Sequence, residues 1–388
     1  MMMTHQLMKK MQKRCVKQLS KIALTGGGTF GHITPNLALL PGLRDRKYDI
    51  IYIGSKDEKE KGIVEKTGIP FFSITSDKLR RYHDFKNFLM PINVLKGIKE
   101  ARTILKNQNV DIVFSKGGYV SLPVVIAAGQ LKIPVISHEA DYTPGLANKF
   151  STPFSTKVCT NFKETAEMIA DKKGIYTGCP IRQELLNGDK NKALEFLNFK
   201  TEKPILLVIG GSLGSVYINE LIRNKLHILM DKFNIVHACG KDKIDYLYKT
   251  EKQIIGYDKY DNYRQFEIFT EMLHDIYAAS DIIVSRAGAN VIFELLSLAK
   301  PNLLIPLSMR ASRGDQILNA KSFKAQSFSE VLFEEDIDKD NNIFIDKLFT
   351  LYDNKDFYIE KMKSSNLQNA AEKICEIISM YTPQKTNQ

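Results

Sequence analysis

The chain reads as an α/β protein built from two similar, doubly wound halves, and three observations predict this. Short β-branched apolar runs recur, several stop at glycine turns, and those turns continue into helical patterns. The opening, Lys21-Ile22-Ala23-Leu24-Thr25 followed by Gly26-Gly27-Gly28, is echoed by the strand-like 204–209 followed by Gly210-Gly211. A length of 388 residues also exceeds what one core usually serves, so two domains are expected.

Residues 1–20 are basic (Lys9, Lys10, Lys13, Arg14, Lys17), lack acids and have an interrupted apolar pattern. They are expected to be a disordered leader, since a signal peptide needs an unbroken apolar core. After strand 21–25, Gly26 to Gly31 lead to His32 and a helix from about Ile33 to Leu43. Gly26, Gly28 and Gly31 satisfy G-x-G-x-x-G. The next strand, 49–53, ends in Gly54-Ser55-Lys56 without an acid placed for a ribose, which weakens a nicotinamide-dinucleotide reading. His32 stands at a helix mouth, where the dipole disfavours imidazolium. It is either a neutral ring able to accept a proton or a cap without chemistry.

Strands follow at 70–74, 110–114 and 134–137. The turn Ser115-Lys116-Gly117-Gly118-Tyr119 precedes a helix over 121–131, and His138-Glu139 precede Asp141-Tyr142-Thr143-Pro144-Gly145. Loops at the carboxyl ends of parallel strands line one crevice, which puts His32, Tyr119, His138, Glu139 and Asp141 along one wall. Each has a structural alternative. Residues 78–90 mix Arg80 and Arg81 with Phe85 and Phe88. That mixture suits an anionic headgroup layer, or equally an amphipathic helix whose rings face the core. The pattern pauses near Gly178-Cys179-Pro180-Ile181-Arg182, so the boundary is expected there, with domains at 21–180 and 181–353.

The second half begins with strand 204–209, a turn from Gly210 to Gly214, and a helix over 215–230. Ser212 and the turn N–H groups suit phosphate oxygens. Strands are read at 234–238, 253–256, 267–269, 281–284 and 302–306. After 281–284 comes Ser285-Arg286-Ala287-Gly288-Ala289-Asn290-Val291-Ile292-Phe293-Glu294, a tight turn into a helix. The helix start suits an anion, and Glu294, one to two turns in, could accept hydrogen bonds from the vicinal hydroxyls of a ribose. The alternative is an ordinary helix start with a solvated acid. Residues 354–388 read as a C-terminal helical segment that packs back toward the first domain.

Composition narrows the partner class. A formal charge of +11 points to an anionic partner: nucleic acid, phosphorylated substrate or anionic lipid. Five scattered cysteines, without a CxxC pair, argue against a disulfide framework and a zinc site. No apolar run reaches the ~18–20 residues that span a bilayer.

In this order the motifs resemble the MurG family, peptidoglycan glycosyltransferases that add N-acetylglucosamine to lipid I to make lipid II. The resemblance runs from about Lys21 to the end. It is carried by Gly-Gly-Gly-Thr-Phe-Gly-His-Ile-Thr-Pro-Asn at 26–36, Gly-Gly-Tyr-Val-Ser at 117–121 and the His-Glu motif at 138–149. Gly-Cys-Pro-Ile-Arg at 178–182, Gly-Gly-Ser-Leu-Gly-Ser at 210–215, Ser-Arg-Ala-Gly-Ala at 285–289 and Asp-Gln-Ile-Leu-Asn-Ala at 315–320 complete it. Asp141 stands where many members carry Asn, and Phe30 where Gly is frequent.

The resemblance implies a GT-B fold, two Rossmann-like domains facing across a cleft, with no metal and no cofactor. It implies UDP-N-acetylglucosamine as donor, lipid I as acceptor, and a peripheral place on the cytoplasmic face of an anionic membrane, without nucleic acid. Residue by residue, Ser212 and Arg182 would meet the diphosphate. Ala289, Asn290, Val291, Ile292, Phe293 and Glu294 would hold the nucleotide, with Glu294 on the ribose. Thr270 would lie by the uracil, and Gln316 would read the sugar. Thr29, Phe30 and Gly31 would face the donor. His32 would be the base, with Glu139 next in line, and Tyr119, His138 and Asp141 would stand on the acceptor side. Arg80, Arg81, Phe85 and Phe88 would touch the membrane. The alternative is another GT-B sugar-nucleotide transferase with a membrane lipid acceptor, which would not be expected to carry the 138–149 motif.

Overall fold

Ile22, Leu24, Ile51 and Ile53 are buried, as are Leu206, Leu207 and Val208. Apolar runs without alternation belong to strands covered on both faces, which is the parallel-sheet arrangement. The computed structural model describes residues 19–28, 30–56, 58–76, 86–199, 201–211, 213–245, 262–269, 271–309, 314–340, 342–365, 367 and 369–384, with backbone alone at 30, 58–59 and 86–91.

One sheet has seven strands: β1 (Lys21–Thr25), β2 (Asp49–Gly54), β3 (Phe71–Ser73), β4 (Ile112–Ser115), β5 (Val135–Glu139), β6 (Lys157–Thr160) and β7 (Gly174–Tyr176), in the order β3-β2-β1-β4-β5-β6-β7. The other has six: β8 (Ile205–Ile209), β9 (Asn234–Ala238), β10 (Tyr263–Phe266), β11 (Ile282–Ser285), β12 (Asn302–Leu304) and β13 (Glu330–Val331), in the order β10-β9-β8-β11-β12-β13. All pairs of the second sheet are parallel. In each sheet the winding reverses beside the first strand, so β1 lies between β2 and β4, and β8 between β9 and β11. Ligands of doubly wound sheets bind outside such reversals. Register adds a second fact. Thr25 is opposite Ser115 and Ile209 opposite Ser285, so the turns after β1 and β4 start side by side, as do those after β8 and β11.

The chain divides into two compact units. One takes in the described residues of Met1–His138, Leu146–Val158 and Glu372–Gln388, the other Glu139–Gly145 and Cys159–Ala371. In the first, Val113, Val124, Val125, Ala127 and Leu105 pack around Ile51 and Ile53. Cys375 and Thr382 also pack there, against the Leu39 carbonyl and the Tyr48 hydroxyl, and Glu372 pairs with Arg46. In the second, Phe323 meets Phe162, Phe293 and Phe328 with ring centroids 5.1–6.3 Å apart. Among the described residues no helix is long and apolar enough to cross a membrane.

Several expected elements differ. The helix expected over 33–43 is two, Phe30–Ala38 and Leu40–Asp45, because Pro41 lacks the N–H that a continuous helix would need. The helix expected over 215–230 breaks at Lys225 into Val216–Asn224 and Leu226–Lys232. The strand read at 267–269 lies earlier, at Tyr263–Phe266, where buried Tyr263 pairs with Ile235. Strands β6 and β7 carried too short an apolar signal to be read. The strand expected at 253–256 and the leader's residues 1–18 fall outside the described residues.

Phe323→Ala would strip the centre from the aromatic cluster and should cost about 3–5 kcal/mol of stability. Phe357→Ala, at a side chain 49% exposed, should stay within about 0.5 kcal/mol. Denaturant midpoints compared at equal slope check both.

Candidate functional site

In the first unit the two neighbouring glycine turns interlock. Gly28 has φ +86°, and a Cβ there would run into the Tyr119 ring. Gly118 has φ +85°, and its Cβ would stand 2.6 Å from the Gly27 carbonyl and 3.0 Å from His32 Cδ2. Only glycine allows both the left-handed backbone and the close approach. The Tyr52 hydroxyl donates to the Gly26 carbonyl at 2.6 Å, and Asn36 Nδ2 donates to Thr25 O and the Tyr52 hydroxyl, both at 3.1 Å. Buried Glu60 accepts from Ser55 Oγ at 2.7 Å, and a Cβ on Gly27 would clash with its carboxylate. His32 and Tyr119 are thus brought together on a braced frame.

Beneath them lies Lys116, 1% exposed, with Nζ 2.8 Å from Nδ1 of buried His138. Asn148 Nδ2 donates to the His138 carbonyl at 3.2 Å. Burial, and secondly the charge of Lys116, push the His32 pKa down to about 4. Its ring is therefore neutral at pH 7 and able to take up a proton. Nδ1 of His32 makes no hydrogen bond among the described residues.

Glu139 and Asp141 count with the second unit. The Glu139 carboxylate accepts from Asp141 N at 3.0 Å and Gly145 N at 2.9 Å, so both oxygens brace its own loop. Asn319, fully buried, donates to Asp141 Oδ1 and to the Ala287 carbonyl, both at 3.2 Å, and accepts from Tyr142 N at 3.0 Å. That one amide ties the loop after β5 to the turn after β11.

Around β8 and β11 the turns are locked from below. Arg286, 6% exposed, donates through Nη2 to Ser215 Oγ at 2.7 Å and through Nη1 to the Ile305 and Pro306 carbonyls at 3.0 and 3.3 Å. Glu334 pairs with it at 2.6 Å. Ser215 in turn caps the helix Val216–Asn224 by accepting from Ile218 N. The helix Ala289–Ser297 opens at Gly288 with no side-chain cap, so its first N–H groups are unsatisfied by side chains.

Along that helix Ala289, Ile292 and Phe293 are buried, and Asn290, Val291 and Glu294 keep part of their surface exposed. Phe293 packs on Phe162, so it serves the core. Among the described residues the Glu294 carboxylate receives one side-chain hydrogen bond, from the Tyr277 hydroxyl to Oε2 at 3.2 Å. Burial raises its pKa to about 7, against the opposing pull of Arg182 and Tyr277. Arg182 lies close enough to act on that carboxylate, is paired at 3.8 Å with Glu184, and among the described residues leaves its Nε without a partner. Gln316 accepts from Leu307 N at 3.1 Å through Oε1.

The structure thus gathers His32, Tyr119 and His138 in one unit, and in the other it sets Asn290, Val291 and Glu294 along one helix, with Arg182, from the segment before Gln183–Leu186, near Glu294. Thr29, Ser212, Thr270, Arg80, Arg81 and Phe85 lie outside the described residues; Phe30, Gly31 and Phe88 sit in helices or turns, with only the backbone described at Phe30 and Phe88. Lys116, Tyr277, Arg286 and Asn319 were not singled out from sequence. For Arg286 and Asn319 the signal was their place inside motifs that were read for glycine and glutamine. Lys116 likewise lies in the 115–119 turn, read for its glycines; Tyr277 had no signal.

Residues 22–160 match the glycosyltransferase family 28 N-terminal domain and residues 205–377 the family's C-terminal domain. A Clostridium tetani protein named UDP-N-acetylglucosamine--N-acetylmuramyl-(pentapeptide) pyrophosphoryl-undecaprenol N-acetylglucosamine transferase is 53% identical over 365 residues, covering 94% of this chain and 99% of its own. A Clostridium botulinum protein of the same name is 52% identical over 364 residues, covering 94% and 100%. The crystal structure of Acinetobacter baumannii MurG superposes with a TM-score of 0.71 at 22% identity, over 93% of this chain and 99% of that one, a likeness of fold. With the two Rossmann-like halves of a GT-B protein and relatives of this identity along almost its full length, the chain belongs to the MurG family of glycosyltransferases.

Proposed function

We propose that the chain transfers N-acetylglucosamine from UDP-N-acetylglucosamine to the C4 hydroxyl of the N-acetylmuramyl unit of lipid I, giving lipid II. The observation that carries this reading is the 53% identity, over 94% of the chain, to a protein named for that transfer. Residues 21–180 serve the acceptor and residues 181–353 the donor. The acceptor is a lipid diphosphate, so the enzyme works as a peripheral protein at the cytoplasmic face of the membrane. The net charge of +11 and the stretch with Arg80, Arg81, Phe85 and Phe88 favour an anionic surface.

On this reading the donor lies over the carboxyl ends of β8 and β11. Diphosphate oxygens meet the N–H groups of the turns, with Ser212 and Arg182, and the open helix start at Gly288 adds its positive end. Glu294 accepts the ribose hydroxyls, and Gln316 faces the sugar. Preorganised dipoles and one guanidinium then stabilise the charge that gathers on the departing UDP. The C4 hydroxyl attacks the anomeric carbon from the opposite side, the C1–O bond to UDP breaks, and configuration inverts. His32, neutral because it is buried beside Lys116, takes the hydroxyl proton. Both Glu139 oxygens already accept loop N–H bonds, which makes His32 the better placed of the two bases.

Incubation with UDP-N-acetylglucosamine and a short-chain lipid I analogue should yield a product heavier by one N-acetylhexosamine, together with one UDP, in mass-resolved analysis. Donor hydrolysis without acceptor glycosylation would refute the assignment. His32→Ala should lower kcat by about 10²–10⁴-fold with both substrates saturating. Near-native turnover in that variant would hand the proton to another group.

A further inference from the structure

Tyr277 supplies the one side-chain hydrogen bond that Glu294 receives among the described residues. It sits on the helix Leu273–Ala279, just before β11, and is 1% exposed. A tyrosine hydroxyl buried this deeply needs a partner, and here it has a carboxylate oxygen, Oε2, at 3.2 Å. The other oxygen, Oε1, takes no hydrogen bond among the described residues and is not a buried orphan. The carboxylate is therefore held at one end and open at the other.

Arg182 is the competing partner. It stands near enough to act on the charge of Glu294, but no ion pair closes between them, and its nearest carboxylate contact is Glu184 at 3.8 Å. A carboxylate swung onto Arg182 would bury its acceptor oxygens in a bidentate pair and occupy the cation. A donor to Oε2 opposes that rotation.

We propose that Tyr277 is a positioning residue for sugar-ring recognition: its hydroxyl clamps Glu294 so that the free oxygen faces a vicinal diol and Arg182 stays available to phosphate. The proposal rests on the reading of Glu294 as the ribose acceptor and adds what selects ribose over deoxyribose. A fixed carboxylate accepts two adjacent hydroxyls at once, whereas a mobile one gains little from the second. A site built to hydrogen-bond a hydroxyl rejects the analogue that lacks it, because its buried acceptor is then left unmatched.

The test is calorimetric affinity of the full chain for UDP and for 2′-deoxy-UDP, in the native protein, Tyr277→Phe and Glu294→Gln. The native chain should prefer UDP by roughly tenfold or more. Both variants should lose most of that preference, and in Tyr277→Phe the loss should fall on KM for UDP-N-acetylglucosamine more than on kcat. If Glu294→Gln loses the preference while Tyr277→Phe keeps it, the clamp is wrong and the ribose reading survives. If Glu294→Gln keeps it, both fall. Should Tyr277→Phe unfold the protein, 3-fluorotyrosine at position 277 keeps the ring and strengthens the donor. The preference must then change, and an unchanged ratio overturns the clamp.

Discussion

The buried guanidinium of Arg286 is the interaction on which the second unit's turns depend. It reaches Ser215 after β8, the Ile305 and Pro306 carbonyls after β12, and Glu334, while its own backbone is the turn after β11. Taking a charge out of water costs several kcal/mol, which the Glu334 pair and the hydrogen bonds of both Nη atoms offset, while Nε has no partner among the described residues. Removing Glu334 would leave an uncompensated buried charge at the point where the turns meet. The planar fork of arginine suits this, since its five N–H donors are spread widely enough for four partners, whereas a lysine ammonium offers three from a single nitrogen. Asn319 extends the same lock to the loop that contains Glu139 and Asp141.

Rigid turns make the electrostatics possible. Backbone N–H groups stabilise a leaving diphosphate only if they do not reorganise during the reaction. The glycines are where the chain yields to that demand: Gly214, with φ +68°, lies against the Cys239 carbonyl with no room for a Cβ. In the first unit Gly28 and Gly118 play the same part for Tyr119 and His32. His32 gains its neutral ring from this packing as well as from Lys116, so the structure that braces the turns also sets the protonation state of the proposed base.

Much of this was legible in the sequence because its signals are local. The runs Ile22-Ala23-Leu24 and Ile282-Ile283-Val284 read as buried strands, and the glycines after them as turns. Glu294 was visible through its offset from Gly288. The rest depends on contacts between residues far apart in the chain. Lys116, Tyr277 and Arg286 look like ordinary members of their segments, and only tertiary packing turns them into a buried cation, a hydrogen-bond donor to Glu294 and a hub. Strand β7 has three residues, too few for a pattern, and the split at Leu39 follows from Pro41 two positions on. Phe293 shows the reverse error of emphasis. It lies within the nucleotide motif, but its ring belongs to the core.

The central claim is that the donor is taken up by an ionised Glu294 that the empty protein holds with a pKa of about 7. Hydroxyls donate to the charged form, so binding must favour deprotonation, and the free chain must give up a proton wherever its carboxyl is still protonated. Titrating UDP-N-acetylglucosamine, whose diphosphate has no ionisation near neutrality, in buffers of different ionisation heat counts that proton. The account predicts release of roughly one proton per donor at pH 6, fading to almost none at pH 8 and absent in Glu294→Gln. Donor binding at pH 6 without proton release in the native chain would contradict it.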